Sequence, residues 1–153
     1  MFDYELEHIL SFVGKGGGTP EAIGALPDGL HVNFQNVGGE VTGPRIRGKV
    51  RPTGGDWVTV RKDGVAILDA RITLETDDHA LILVTYSGIV DFGPDGYERF
   101  QRGELPPVAR IRTSPRFFTS HAEYLWLNRL HCLGIGEYRP AARTASYEVY
   151  AVR

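Results

Sequence analysis

The chain has little that could brace it from outside. Among 153 residues there is one cysteine, Cys132, so no internal disulfide can form, and one thiol cannot assemble a zinc or iron–sulfur site. Long hydrophobic runs are missing as well. No stretch approaches the ~20 apolar residues that span a bilayer, and Met1-Phe2-Asp3-Tyr4-Glu5 has neither the basic start nor the apolar run of a signal peptide. A cytoplasmic location without a membrane partner is expected. Charge of one sign is also lacking: Lys+Arg 17 against Asp+Glu 19 leaves a net charge of −2. Nucleic acid is therefore not an expected partner, because its binding rests on a basic surplus that releases counterions from phosphates.

Several catalytic signatures are absent too. The chain has no Gly-x-Ser-x-Gly elbow. Gly14-Lys15-Gly16-Gly17-Gly18-Thr19 lacks the residue order of a phosphate-binding loop, and Pro20, Gly24 and Pro27 follow it where a capped helix would be needed. His121-Ala122-Glu123 has the first half of a zinc-deaminase pattern without the Pro-Cys-x-x-Cys that completes it. Neither a metal nor a cofactor is expected.

What is present describes a folded domain. Hydrophobic residues make up 42% and charged residues 24%, the balance of a globular protein. A chain of this length buries roughly 70% of its unfolded surface, enough for a core without staples, and one domain over 1–153 is expected. Nineteen glycines and nine prolines cut the sequence into short segments in which apolar residues alternate or cluster instead of recurring at helical spacing. The expected class is all-β. About nine strands are read, within Tyr4 to Val13, Leu30 to Val37, Glu40 to Val50, Asp56 to Lys62, Val65 to Thr76, His79 to Val90, Val108 to Thr113, Phe117 to Thr119, Tyr124 to Leu133 and Ala145 to Val152. Long loops are expected at 14–29 and 91–107, the second with a helical turn near Tyr97 to Arg102. The segment His121 to Leu133 fits a helix as well as a strand. So many antiparallel strands must hide their edges, and closure into a barrel does this; a β-sandwich is the alternative.

Register arithmetic places candidate site residues. If Asp63-Gly64 and Asp77-Asp78 are two-residue hairpin loops, Asp56 faces Arg71, Asp69 faces Tyr86, and one sheet face carries Asp56, Asp69, Arg71 and Tyr86 among aliphatic residues. The opposite face, with Leu68, Ile72, Leu74, Leu81 and Leu83, is nearly all apolar. Either the mixed face lines a ligand-binding lumen, or the apolar face is the core and Asp56–Arg71 is a surface pair; register alone leaves both open. A three-residue Lys62-Asp63-Gly64 loop would break the Asp56–Arg71 match, because a one-residue slip exchanges the faces. If the apolar face is left uncovered, it calls for a homodimer or higher homo-oligomer.

In order along the chain, Gly43-Pro44-Arg45-Ile46-Arg47-Gly48, Gly54-Gly55-Asp56-Trp57, Asp69-Ala70-Arg71, Thr76-Asp77-Asp78 and Tyr124-Leu125-Trp126-Leu127-Asn128 resemble the domain of unknown function family 3237, also called uncharacterised protein family 0311. The resemblance covers nearly the whole chain. It implies a compact, lipocalin-like antiparallel β-barrel with a cavity and frequent self-association, and it favours the lumen reading. Its polar motif positions fall on Asp56, Arg71, Arg112, Tyr124, Trp126 and Asn128. One departure is His79, where the family commonly has glycine after the paired acidic residues.

The chemistry expected of such a lumen is acid–base work on a small apolar or aromatic compound with an anionic or carbonyl group. Asp56 is the candidate base, Arg71 the candidate anion clamp and Tyr86 the donor that polarises a carbonyl. Arg112, Tyr124, Trp126 and Asn128 complete the expected ligand-binding set. A lyase, isomerase or hydrolase type of reaction fits these groups; a non-catalytic carrier barrel is the alternative.

Overall fold

The computed structural model describes residues 1–153. Eight antiparallel strands close into a barrel in sequence order, each hydrogen-bonded to the next and β8 back to β1. They are β1 (Leu6–Leu26), β2 (Gly29–Thr42), β3 (Gly48–Val60), β4 (Val65–Thr76), β5 (Leu81–Asp91), β6 (Ala109–Phe118), β7 (Cys132–Arg139) and β8 (Thr144–Val152). One helix, α1 (Gly96–Gln101), lies in the β5–β6 connection, and a 3-10 segment (Ala122–Arg129) lies in the β6–β7 connection. No helix is long and apolar enough to cross a membrane.

The barrel class is as expected, and the strand count falls to eight because Leu30 to Val37, Glu40 to Val50 and Asp56 to Lys62 make up two strands, β2 and β3, and Val108 to Thr113 and Phe117 to Thr119 make up one, β6. Residues 14–29 are not a loop: β1 runs through the glycine tract to Leu26, bulged near Gly16, Glu21 and Gly24 but still paired with β2. Bulges absorb residues that break the alternation without ending the strand. Tyr124 to Leu133 is not one strand either, since its first part is the 3-10 segment and β7 begins only at Cys132. The 91–107 connection does carry a short helix, close to where the sequence places one.

Both central hairpin turns are three-residue loops. Val60 pairs with Ala66 and Arg61 N–H donates to Val65 O (2.9 Å), leaving Lys62-Asp63-Gly64 as the loop. Gly64 adopts φ +84°, the left-handed residue such a loop needs. Glu75 likewise pairs with Leu81, and Thr76 N–H donates to Ala80 O (3.0 Å) around Asp77-Asp78-His79. His79 takes the left-handed position at φ 66°, a conformation that glycine adopts without steric cost.

This slip turns β4 over relative to the two-residue expectation. Leu68, Ala70, Ile72 and Leu74 point inward, together with Asp56, Val58 and Val60 of β3 and Ile82, Val84 and Tyr86 of β5. The apolar face inferred for self-association therefore does not exist as one surface. Ile72 and Leu74 are core, while Leu81 and Leu83 are exposed on the outside.

One end of the barrel is filled. Leu10, Val41, Val50, Leu74, Ile82, Phe117, Cys132 and Val149 pack there, and the connecting loops add Ile46 and Leu127 as a plug. Each such side chain contributes roughly 1.5–3 kcal/mol when fully buried. The other half stays open.

Candidate active site

The open half is a cavity of about 830 Å³, counting its mouth, and most of its lining is hydrophobic. Strand alternation supplies the wall: Phe12 from β1, Phe34 from β2, Val58 from β3, Leu68 and Ile72 from β4, Val90 from β5 and Ile111 from β6. Phe100 of α1 packs near Phe92, with ring centroids 5.9 Å apart, and both border the cavity beside the mouth.

Asp56, Tyr86 and Tyr147 converge on this apolar space, which Lys15, Gln35, Asn36, Tyr138 and Arg143 also border. Asp56 pairs with Ala70, and Ala70 pairs with Tyr86, so Asp56 and Tyr86 stand two strand spacings apart, about 10 Å between Cα atoms, with only a methyl group between them. Tyr147 arrives from β8. Its hydroxyl lies 3.4 Å from that of Tyr86, and its ring stacks on Phe12 at 4.5 Å.

Their electrostatics follow from burial. Asp56 is pushed up to about 7, first by desolvation, although the Asp69 N–H it accepts pulls the other way; the Asp69 carboxylate adds a smaller upward push. Asp56 still keeps accessible surface because the cavity lies in front of it. Tyr86 is raised well above its ordinary value, chiefly by burial, then by Tyr147 and the nearby Asp56 charge. Tyr147 is raised for the same leading reason, and its bond with Tyr86 opposes the shift. At neutral pH the site therefore holds two neutral phenol donors beside one carboxyl group poised between its two forms.

A family model described as a protein of unknown function, DUF3237, matches residues 4–152. The chain belongs to this family. It is 36% identical over 126 residues to a UPF0311 protein of Rhodopseudomonas palustris, covering 80% of this chain and 81% of that one. The crystal structure of a Rhodopseudomonas palustris protein of unknown function superposes with TM-score 0.86 at 31% identity, with both chains fully covered. A β-barrel-like protein of Acinetobacter baumannii gives 0.84 at 25% identity, covering 100% of this chain and 98% of that one. A protein of Penicillium herquei, described as an enzyme, shares the fold at TM-score 0.71 and 22% identity, covering 100% of this chain and 97% of that one.

In this DUF3237 barrel the expected site residues separate into three groups. Asp56 and Tyr86 line the cavity. Arg71 does not: it lies on the outer face and pairs with Asp69 at 3.1 Å, both side chains more than half exposed. Arg112 also points outward, since Ile111 and Thr113 occupy the buried positions of β6; its Nη1 donates to Ile111 O at 2.7 Å. The one-residue slip removes Arg71 from the lumen, and ordinary alternation removes Arg112.

Tyr124, Trp126 and Asn128 form the third group, at the plugged end. Tyr124 Oη donates to Asp78 Oδ1 at 2.8 Å, and the Arg45 guanidinium lies 3.9 Å from the centroid of Trp126. Asn128 accepts from Thr119 N–H at 2.9 Å and donates to Thr119 O at 2.8 Å. Three of the family motifs thus meet there, tying the β2–β3, β4–β5 and β6–β7 connections together. These residues close the barrel; they do not touch the cavity.

Tyr147 was not singled out from the sequence, yet a signal for it exists. Ala145, Tyr147, Val149 and Ala151 alternate along β8 with exposed or polar residues, which marks an inward row. Cys132 is buried, and its thiol is pushed up to about 11, mainly by desolvation. That leaves it inert as a nucleophile.

Proposed function

We propose that the barrel binds a small, largely apolar or aromatic carbonyl compound and performs cofactor-independent acid–base chemistry on it, of the lyase, isomerase or hydrolase type. The observation that carries this reading is Asp56: a carboxyl group held near pH 7 in an apolar cavity that also contains the paired Tyr86 and Tyr147 hydroxyls. As carboxylate, Asp56 takes a proton from carbon next to the carbonyl. Charge then moves onto the carbonyl oxygen, where a neutral phenol donates a hydrogen bond that strengthens as the oxyanion develops. Protonated Asp56 returns the proton to a different atom in an isomerisation, or to the leaving group in an elimination. A pKa close to the working pH serves both halves of the cycle. The fold is shared with a Penicillium herquei protein described as an enzyme.

A carrier has no use for a carboxyl group that lacks a charged partner in an apolar wall, since such burial is costly; the lining itself suits either role. The test uses 2-tetralone as a probe carbon acid, following exchange of its α-hydrogens in D2O by proton NMR. Wild type is expected to accelerate exchange over buffer, and Asp56→Asn to reduce that acceleration by roughly 10²–10⁴. Binding of the ketone with no acceleration would leave the carrier reading.

A further inference from the structure

The cavity mouth carries a feature that the acid–base reading does not use. Arg143 sits in the β7–β8 connection in left-handed conformation, φ 51°, and lines the cavity. It stands just before β8, whose inward row begins with Ala145 and Tyr147, and its side chain is exposed at the rim. Its Nη1 donates to Gly18 O across the rim, and it forms no ion pair within 4.0 Å. Lys15 also borders the cavity, but it pairs with Thr144, out of step with the inward pair Gly14 and Ala145. Alternation sends its ammonium group outside.

The glycine tract of β1 gives this arrangement its space. A Cβ at Gly16 would lie 3.7 Å from Arg143 Cβ and 3.4 Å from Arg143 O, one at Gly17 would lie 2.0 Å from Val37 Cγ1, and Gly18, the acceptor, has φ +64°. The tract that resembles a phosphate loop is thus the bed on which an arginine crosses the mouth. Beside it stands Tyr138, inward-facing on β7 with its ring against Phe34 at 6.4 Å. The Tyr138 hydroxyl makes no hydrogen bond of its own, and although burial raises its pKa, the Arg143 charge offsets part of that rise.

We propose that Arg143, assisted by the Tyr138 hydroxyl, is the anion-binding group of this cavity, and that the ligand is an aromatic amphiphile with its anionic oxygens at the mouth and its apolar body inside. One Nη1–H is committed to Gly18, while the remaining guanidinium N–H groups are free for a carboxylate or sulfonate. The four residue steps from Arg143 to Tyr147 reach at most about 13 Å, so the body between the anion and the tyrosine pair has room for two or at most three aromatic rings. This rests on the cavity assigned above as the site and deepens it by naming the ligand class.

The test compares two fluorescent probes that share one framework, anionic 8-anilinonaphthalene-1-sulfonate and neutral N-phenyl-1-naphthylamine, with mutual displacement showing that they occupy the same cavity. Arg143→Asn keeps a residue that tolerates left-handed backbone. It is expected to weaken the sulfonate about tenfold or more while leaving the neutral amine within a factor of about two. Arg143→Lys, which retains the charge, should recover part of the loss, and Tyr138→Phe should weaken the sulfonate selectively but less. Equal loss of both probes, or no loss of the sulfonate, overturns the proposal. Asp56→Asn should leave the ratio of the two affinities above one in favour of the sulfonate. Failure of the acid–base reading appears in tetralone exchange, as no acceleration by wild type or as acceleration undiminished in Asp56→Asn, whereas failure of both probes to enter the cavity overturns the clamp and the binding site together.

Discussion

Asp56 pairs with Ala70, one residue short of Arg71, and its Oδ1 accepts the Asp69 amide at 3.0 Å. That offset places a carboxyl group inside the barrel and its nearest arginine in sequence register outside. Arg71 and Asp69 form an exposed pair at 3.1 Å, and such pairs contribute about 0–1 kcal/mol. Arg71→Ala is therefore expected to leave the affinity of both fluorescent probes unchanged and to shift the thermal midpoint by only a few degrees at most. A large selective loss of the anionic probe would return Arg71 to the site.

The offset is set by the turn. A Cβ on Gly64 would fall 1.7 Å from Gly93 O, and the φ of +84° already disfavours any other residue. Phe92 N–H also donates to Gly64 O at 3.1 Å, so the turn supports the chain entering α1. Gly64→Ala is expected to destabilise the barrel by more than about 1 kcal/mol, and to increase hydrogen exchange in the β5–β6 connection ahead of the plugged end. Uniform protection in that connection would show that the turn does not hold it.

Much of this was legible in the sequence. Asp56 and Tyr86 fall on the same side as expected, but only because the one-residue slips at the two turns cancel between β3 and β5; the Gly/Pro pattern with short apolar runs pointed to a closed sheet. Register was the weak link, because Asp63-Gly64 suits a two-residue or a three-residue loop, and only the extra residue decides whether β4 presents Arg71 or Ala70 to the lumen. His79 shows the same ambiguity, since a histidine does not announce a left-handed turn as glycine does. The Tyr124–Asn128 motif misled for another reason: at a barrel end, recurring polar residues hold loops together, and sequence alone does not separate a plug from a pocket. Arg143 and Tyr138 come from connections and strand ends that only the closed barrel brings to one mouth.

At the plugged end, Asn128 makes two hydrogen bonds with the Thr119 backbone, at 2.9 and 2.8 Å. Asn128→Ala leaves both Thr119 groups without that partner and is expected to cost about 1–3 kcal/mol, read as a lower urea midpoint. Probe affinities should remain those of wild type, because the cavity lies at the other end. Loss of probe binding in a variant that is still fully folded would mean that the motif contributes to the site after all.

The strongest pH signature belongs to Asp56. Its folded pKa of about 7 lies above the ordinary 3.8, so between these values the folded state holds a proton that the unfolded state has released. Stability therefore falls as pH rises through this window, which is the reverse of a salt-bridged carboxylate. The separation corresponds to roughly 4 kcal/mol as an upper bound, reduced by the accessible surface that the side chain keeps toward the cavity. Asp56→Asn keeps the shape without the titration. The variant is expected to be close to wild type near pH 4, where Asp56 is largely protonated in the folded state, and more stable than wild type at pH 8. Chemical denaturation of both proteins at pH 4, 6 and 8 measures the difference directly, with contributions from other groups cancelling in the comparison. A gap that is constant across these pH values would place the Asp56 pKa at its ordinary value and remove the poised carboxyl on which the acid–base chemistry depends.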